Sequence, residues 1–295
     1  MYVITAASGK IGKSLSAALL AAGKQVRVIG RSAEHLKELT DKGAEPMIGD
    51  VSDPDFVNRA FEGGTAVFCL IPPSYDSTDF RTHQNQVARN YADAVKKNNI
   101  KYAVLLSSVG AHLRKGAGVV DGVGEMEEDF LKLKDVNVVN LRPSYFMENI
   151  YGQLDMIKNM GIMGSAVKSD LPVPMVATKD IAATAFNVMK DLSFKGNTVH
   201  YVLGPRDFTW AEVASVIGKA IGKPDLKYVQ FSYEDAKNGM VKSGMLSADM
   251  ADLFNQLSES FNTGKAGNAH HRDAENTTPT TLEEFAQGVA AAFRQ

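Results

Sequence analysis

The stretch Val3-Ile4-Thr5-Ala6-Ala7-Ser8-Gly9-Lys10-Ile11-Gly12 decides the fold of this chain. A short apolar run enters a turn of small residues, and the segment from Ile11 to Ala22 then repeats apolar residues at helical spacing. This order of strand, tight turn and helix is the context that a dinucleotide-binding fingerprint requires. Gly9 would let the backbone approach a pyrophosphate, and Gly12 would let the helix pack closely on the strand. The start of the helix would offer unpaired N–H groups to the phosphates.

Ala6 occupies the place where the first glycine of this fingerprint usually lies. An alanine suffices there if that residue does not need a positive φ. The alternative is a plain strand–helix turn without a ligand, but the position of the motif directly after the first strand favours nucleotide binding. We predict that the cofactor is contacted in this segment by Thr5, Ala6, Ser8, Gly9, Lys10, Ile11 and Gly12.

The first half of the chain alternates short apolar runs with longer amphipathic segments. Such repeated strand–helix units are typical of a parallel sheet covered by helices on both faces. We therefore predict an α/β fold, a Rossmann-type doubly wound parallel sheet with a small C-terminal substrate lobe. The predicted division is a nucleotide-binding domain over 1–148 and a smaller lobe over 149–295, with segments near 171–205 returning to the sheet. Within that region, 171–176 and 199–203 are the expected additional strands.

Composition excludes several classes of protein. The chain has 295 residues, 44% of them hydrophobic, and a formal net charge of −2, which argues against nucleic acid or an anionic membrane as the main partner. Cys69 is the single cysteine, so neither an internal disulfide nor a cysteine zinc site is expected. The pair His270-His271 is improbable as a metal site by itself, and we predict no metal. The opening Met-Tyr-Val-Ile-Thr leaves no room for a signal peptide, which predicts a cytoplasmic protein.

The end of the second strand favours NADP(H) over NAD(H). An NAD site usually has an Asp or Glu about 20 residues after the fingerprint, where it binds the ribose 2′-hydroxyl. Here the strand ends Val28-Ile29-Gly30-Arg31-Ser32, with no acid. The planar guanidinium of Arg31 could bind a 2′-phosphate, and Ser32 could add a hydroxyl donor. A solvated surface arginine is the alternative.

Further contacts follow from the rule that ligands bind at the carboxyl ends of parallel strands. Asp50 and Val51 follow the third strand and could meet the adenine, although Asp50 could instead start a capped helix. The segment that ends the fourth strand could line the nicotinamide side, and the segments that end the fifth strand and follow the sixth supply further contacts. The residues predicted there are Leu70, Ile71, Pro72, Ser107 and Pro143.

These residues together resemble a known family. The quoted fingerprint, Gly49-Asp50-Val51, Ser107-Ser108-Val109-Gly110-Ala111 and the stretch from Leu141 to Asn149 occur in a familiar order and spacing. The chain resembles the NmrA-like group of atypical short-chain dehydrogenases. The resemblance implies a Rossmann domain with a small C-terminal substrate lobe. It also implies either an NADPH-dependent quinone or azo-dye reductase, or a redox-sensing regulator that binds NADP without turnover.

The sequence departs from the wider dehydrogenase pattern at the catalytic positions. Short-chain dehydrogenases generally use a Tyr-x-x-x-Lys pair, but counting along the chain places Val120 and Gly124 there, and neither can titrate. Direct hydride transfer from NADPH needs no such pair, because the cofactor carries the difficult step. The remaining candidate helpers are Ser107, Ser108, His112 and Tyr145. For His112 a plain loop residue, and for Tyr145 a pocket wall, are the favoured alternatives.

Two hypotheses follow. The first is NADPH-dependent reduction of a quinone-like or other apolar electrophile, with a Met- and Phe-rich second lobe as the substrate side. The residues considered for that lining are Phe231, Tyr233, Met240, Met245, Met250 and Phe254, for which plain core packing is an equal explanation. The second is a non-catalytic NADP(H)-sensing regulator that binds a protein partner. A homodimer, for example through the long helix predicted from Phe80 to Lys97, is left open.

Overall fold

The computed structural model describes residues 1–244, 246–267 and 271–295. The strands in this part of the chain are β1 (Tyr2–Ile4), β2 (Val26–Gly30), β3 (Glu45–Ile48), β4 (Ala66–Cys69), β5 (Tyr102–Leu106), β6 (Asn137–Pro143), β7 (Tyr145–Phe146), β8 (Ile162–Ser165), β9 (Val173–Val176), β10 (Asn197–Val202), β11 (Asp207–Phe208) and β12 (Lys227–Gln230). The α-helices are α1 (Lys10–Ala21), α2 (Ala33–Asp41), α3 (Pro54–Phe61), α4 (Phe80–Lys97), α5 (Asp121–Leu131), α6 (Leu154–Met160), α7 (Thr178–Met189), α8 (Trp210–Ala220), α9 (Tyr233–Lys242), α10 (Ala248–Asn262) and α11 (Leu282–Phe293).

A parallel seven-stranded sheet organises the fold, with the strand order β10-β6-β5-β4-β1-β2-β3. The chain moves outward from β1 to β3 and then returns to place β4 on the other side of β1. The strand order therefore reverses between β1 and β4, and a doubly wound sheet opens its ligand crevice at such a point. The predicted Rossmann-type fold is confirmed.

Helices cover both faces of this sheet because its central strands β1, β4 and β5 are apolar on both sides. One buried cluster joins the sheet to α1, α2 and α7 through residues such as Leu15, Leu36 and Ile181. The opposite cluster joins it to α3, α4 and α5 through residues such as Tyr91 and Phe130. A third cluster, outside the large sheet, packs α8 and α11 together with the short helix Met147–Gln153. In the part of the chain described, no helix is long and apolar enough to span a membrane.

One predicted strand lies in a different sheet. The segment 199–203 does return to the large sheet, where β10 pairs with β6 in parallel. The prediction that 171–176 joins that sheet is wrong, because β9 pairs with β7 and β11 in a separate three-stranded sheet. All four residues of β9 are buried. A continuous apolar run predicts a buried strand, but it carries no information about which neighbour will pair with it.

Helix α10 is fastened to the loops that follow β4 and β5. The Ser247 N–H, just before α10, donates to the Tyr75 carbonyl at 2.9 Å, and Asp249 accepts from the Phe80 N–H at 2.9 Å. A Cβ built on Gly118, in the loop after β5, would lie 1.9 Å from the Leu253 carbonyl oxygen. The two backbones are therefore in direct contact here, which fixes α10 beside the loops that follow β4 and β5.

Candidate cofactor and active site

The turn between β1 and α1 leaves the start of α1 open. Gly9 is the N-cap residue in an extended conformation, no side chain caps the helix, and its first turn contains no acid. The Gly9 N–H donates to the Ala6 carbonyl at 3.0 Å, which closes the turn. Ser8, Gly9 and Lys10 are exposed. The first backbone N–H groups of α1, together with the positive end of its dipole, can therefore receive a phosphate.

Gly12 and Ala6 determine the shape of this turn. A Cβ on Gly12 would lie 2.6 Å from the Ala6 carbonyl oxygen and 2.9 Å from the Ala7 Cα, so only glycine allows α1 to pack this closely. Ala6 has a φ of 49°. The condition under which an alanine suffices here, a residue that does not need a positive φ, is therefore not met. The residue accepts a left-handed conformation at a cost of about 1–2 kcal/mol, because its carbonyl must face the Gly9 N–H.

Thr5 is held within the protein. Its side chain is fully buried, its hydroxyl lies 3.1 Å from the Phe68 carbonyl, and the same oxygen accepts from the Leu70 N–H at 2.8 Å. The Leu70 carbonyl accepts in turn from the Tyr91 hydroxyl at 2.9 Å. These bonds tie the end of β1 to the end of β4 at the mouth of the crevice. The Thr5 hydroxyl is therefore occupied by hydrogen bonds to the backbone of Phe68 and Leu70, and through these bonds it fixes the shape of the crevice mouth.

Arg31 is exposed at the end of β2, and within the described residues its guanidinium makes no ion pair or hydrogen bond. Lys13 on α1, by contrast, forms an ion pair, since its Nζ lies 2.5 Å from a carboxylate oxygen of Glu38 on α2. Ser32 caps α2, accepting weakly from the His35 N–H at 3.5 Å. Among the described residues, Arg31 is consequently a cation at the end of β2 that is available to a 2′-phosphate.

The loop after β3 is fixed by a turn of its own and by a side chain of α4. Asp50 accepts from the Ser52 N–H at 2.8 Å and from the Ser52 hydroxyl at 2.6 Å, and these bonds lower the pKa of Asp50. The Asn90 amide donates to the carbonyls of Val51 and Ser52 at 2.9 and 3.0 Å. Asp50 therefore forms a local turn, and Asp53 is the residue that caps the following helix. Sequence reasoning missed Asn90, whose signal is a polar residue on the apolar face of α4.

The remaining predicted cofactor contacts lie together at the carboxyl ends of β4, β5 and β6. Ile71 is buried, and Leu70 and Pro72 are partly exposed. The Pro143 carbonyl accepts from the Val109 N–H at 2.9 Å, so the two segments that leave β5 and β6 stay in contact. Lys10 lies apart from this group, with its Nζ 4.6 Å from the centre of the Tyr151 ring.

A buried ionic network surrounds Ser107. The Ser107 hydroxyl donates to Glu127 Oε1, and Arg142 grips the same carboxylate with Nε at 2.9 Å and Nη2 at 2.5 Å. Arg142 also donates to the Tyr201 hydroxyl at 3.1 Å, and Arg114 lies 3.3 Å from Glu127 Oε2. The proton of Ser107 is therefore donated to Glu127 and is not free for a substrate. A role for Glu127 was not predicted from the sequence. The available signal is a glutamate beside Met126 and close to Phe130, on an apolar helix face.

The other helper candidates have partners or surroundings of their own. The Ser108 hydroxyl donates to the Val109 carbonyl at 3.0 Å. Burial raises the pKa of Tyr145, and its ring meets Trp210 edge to face at 5.2 Å. Trp210 stacks on Tyr228 at 5.3 Å. Tyr145, Trp210 and Tyr228 therefore form a cluster of aromatic rings, and the role of Tyr145 as a pocket wall stays a prediction.

His112 lies in the short helix Ala111–Leu113, and its Nδ1 is buried without a partner in the described residues. Burial lowers the pKa of His112, and the positive charges of Arg142 and Arg114 lower it further, while Glu127 and the Lys265 carbonyl act in the opposite direction. The imidazole is therefore neutral at physiological pH. A neutral histidine with a depressed pKa is a poor proton donor to a reduced substrate.

Lowering the pH should therefore cost stability through His112. The unfolded chain binds a proton at the ordinary histidine pKa of 6.5, and the folded chain binds it only at lower pH, so stability is complete above 6.5 and falls below it. We expect His112→Asn to weaken this pH dependence, measured as the urea midpoint at several pH values from 7.5 to 5. The exposed His35 on α2 supplies the control His35→Asn. An unchanged slope in His112→Asn would contradict the assignment.

Val120 and Gly124, which occupy the positions of the usual Tyr and Lys pair, are packed closely against their neighbours. Val120 lies in an apolar cluster with Ala111 and Ala117. A Cβ on Gly124 would lie 2.5 Å from the Ala111 carbonyl oxygen, and the Gly124 carbonyl accepts from Arg114 at 2.5 Å. A side chain at position 124 would therefore displace the loop that follows β5.

Two predictions fall partly outside the described residues. Met245 of the apolar lining set and His270 of the histidine pair lie outside them. Of the lining set, Met250 is buried, whereas Tyr233 is 41% exposed on α9. The described members of this set therefore do not share one environment.

The sheet order, the crevice between β1 and β4 and the uncapped start of α1 define a nucleotide-binding protein of the Rossmann type. The chain belongs to the NmrA-like family, whose model matches residues 2–286. This confirms the resemblance drawn from the sequence motifs.

The relatives include several reductases. The chain is 25% identical to an NAD(P)H azoreductase of Xenophilus azovorans over 300 residues, which is 99% of each chain. Among solved structures, it is similar to a Citrobacter triphenylmethane reductase complexed with NADP(H), with a TM-score of 0.82 and 20% identity over 98% of this chain and 100% of that one. An NADPH-dependent quinone oxidoreductase of Escherichia coli complexed with NADPH gives a TM-score of 0.81 and 21% identity over 98% and 99%. At these identities the two structures establish the shared fold.

Proposed function

We propose that this chain is an NADPH-dependent reductase that transfers a hydride directly to an apolar electrophile of the quinone or azo-dye type. The observation that carries the proposal is the open start of α1 together with the unpaired Arg31 at the end of β2. Phosphates would bind the N–H groups of α1, and Arg31 would select the 2′-phosphate. The azoreductase relative, matched over 99% of both chains, supports the substrate class.

The chain's own residues would bind, orient and exclude water in this reaction. NADPH supplies the hydride when bound. Thr5 and Tyr91 fix the end of β4 beside the nicotinamide half, and the Ser107–Glu127–Arg142 network fixes the ends of β5 and β6. The aromatic wall of Tyr145 and Trp210 would exclude water from the acceptor. Because Ser107 and His112 are poor donors, the reduced product would take its proton from solvent.

The second candidate is a non-catalytic NADP(H)-sensing regulator with a protein partner. One observation favours it: the hydroxyl protons of Ser107 and Ser108 are donated to internal acceptors, and the pKa of Tyr145 is raised by burial. A regulator of this kind must bind NADP and NADPH with different affinities, because a ligand pair that does not discriminate shifts no equilibrium. A cytoplasmic location and a homodimer stay predictions under either function.

An acceptor panel separates the two candidates. We expect purified protein to oxidise NADPH in the presence of menadione or a soluble azo dye, with NADH a much poorer donor. The measurement is the loss of NADPH absorbance, with the affinities for NADP and NADPH determined by calorimetry. Tight but unequal binding of the two nucleotides without turnover of any acceptor would favour the regulator and overturn the reductase.

A further inference from the structure

The loop between β4 and α4 combines a fixed backbone with a free aromatic side chain. Pro72 and Pro73 stiffen its start, and the Ser77 N–H donates to the Ser74 carbonyl at 3.2 Å to close a turn around Tyr75. Tyr75 is 50% exposed, and within the described residues its ring and hydroxyl have no partner. Most large aromatic residues of this chain are buried or paired with another ring, which makes this one unusual.

The small lobe anchors this loop through its backbone. The Ser247 N–H donates to the Tyr75 carbonyl at 2.9 Å, and the Ser247 hydroxyl donates to the Ser77 carbonyl. The Asp249 carboxylate accepts a hydrogen bond from the Phe80 N–H at 2.9 Å, at the point where the loop leads into α4. At its other end, the loop leaves Leu70, which Thr5 fixes. These bonds fix the backbone of the loop, so an acceptor that packs on the Tyr75 ring does not have to order the loop.

The position of this loop in the sheet places it at the acceptor side of the crevice. It rises from the carboxyl end of β4, which neighbours β1 at the point where the strand order reverses. The phosphates are expected on the α1 side of that point and the nicotinamide on the β4 and β5 side. Tyr75 belongs to the loop that follows β4, and its carbonyl contacts the residue before α10, so a flat molecule beside the nicotinamide would lie at the same edge of the sheet as this loop.

We propose that Tyr75 is a specificity-determining residue that stacks on planar aromatic acceptors. The inference rests on the proposed reductase function and refines its substrate class to acceptors with fused or extended flat rings. An aromatic pair contributes about 0.5–1.5 kcal/mol beyond its buried area. That range corresponds to about a 2- to 12-fold change in affinity. The contact should grow with the ring area of the acceptor.

The test compares Tyr75→Ala, Tyr75→Phe and a control variant across acceptors of increasing ring area. The control is Leu131→Ala, an apolar side chain 64% exposed at the end of α5. We expect Tyr75→Ala to raise the KM about threefold to tenfold for menadione and more for phenanthrenequinone, with little change for benzoquinone. The kcat and the NADPH Kd should stay unchanged, and Tyr75→Phe and Leu131→Ala should resemble the parent protein. Equal KM values for Tyr75→Ala and the parent, or a rise independent of ring area, would overturn the proposal.

A binding measurement separates this proposal from the reductase function itself. Calorimetric titration of the NADP-loaded protein with menadione measures the ring contact without turnover. If no acceptor is reduced but Tyr75→Ala still weakens menadione binding, the contact stands and the reductase function fails. If acceptors are reduced and Tyr75→Ala binds menadione as tightly as the parent, the contact fails and the reductase function stands. Absence of menadione binding to the parent protein would also overturn the contact.

Discussion

Replacing Arg142 with methionine is expected to lower the free energy of unfolding by about 3–5 kcal/mol, because it leaves a buried carboxylate without its main partner. The side chains of Arg142 and Glu127 are 8% and 4% exposed, and two hydrogen bonds join them. Coulomb attraction and those bonds offset the cost of removing both charges from water. Removing one partner leaves most of that cost in place. Urea unfolding followed by circular dichroism measures the change.

A double variant and an exposed pair provide the controls for this prediction. Combining Arg142→Met with Glu127→Leu should recover part of the lost stability, because the buried charge is then gone as well. Arg206 and Glu212 form an exposed pair at 3.2 Å, with side chains 50% and 45% exposed. Arg206→Met should therefore cost less than about 1 kcal/mol. A loss for Arg142→Met no larger than that of the exposed control would show that the buried network contributes little.

Arg31→Ala is expected to weaken NADPH binding about 10- to 100-fold while leaving NADH binding nearly unchanged. Hydrogen bonds to a charged group contribute about 1.5–3 kcal/mol, and only NADPH has a 2′-phosphate to receive them. Calorimetric titration of the parent and variant with both nucleotides measures the difference. Arg89→Ala, an exposed arginine on α4, is the matched control. Equal losses for NADPH and NADH would place Arg31 away from the 2′-phosphate.

The fold could be predicted from the sequence where short-range patterns determine it. The helix predicted from Phe80 to Lys97 has those bounds in the structure, because Asp79 caps its start and two lysines lie in its last turn. The alternation of strands and helices likewise fixed the parallel sheet. The sheet to which β9 belongs depends on contacts distant in sequence, and no local pattern contains them.

The candidate site was predictable in its backbone and less so in its side chains. The glycines of the β1–α1 turn predict a phosphate site, and Gly12 packs against the Ala6 and Ala7 backbone as closely as expected. The positive φ of Ala6 was not predictable, because the turn overrides the residue's own preference. The hydrogen bonds of Ser107 and Arg142 to Glu127 connect β5, α5 and β6. Because these elements are distant in sequence, the composition could suggest each residue but not the contact between them. The helper candidates Ser107, Ser108 and Tyr145 therefore have partners that the sequence does not show.

Direct hydride transfer is tested by a single-turnover experiment with NADPH deuterated at C4 on either face, mixed with menadione in a stopped-flow instrument. Direct hydride transfer predicts that NADPH absorbance decays within the turnover. It also predicts that deuterium on one face alone slows the decay, with a primary isotope effect above about 2. Decay that is insensitive to deuterium on both faces would contradict hydride transfer as the rate-determining chemistry. Nucleotide that binds but is never oxidised would contradict the reductase itself.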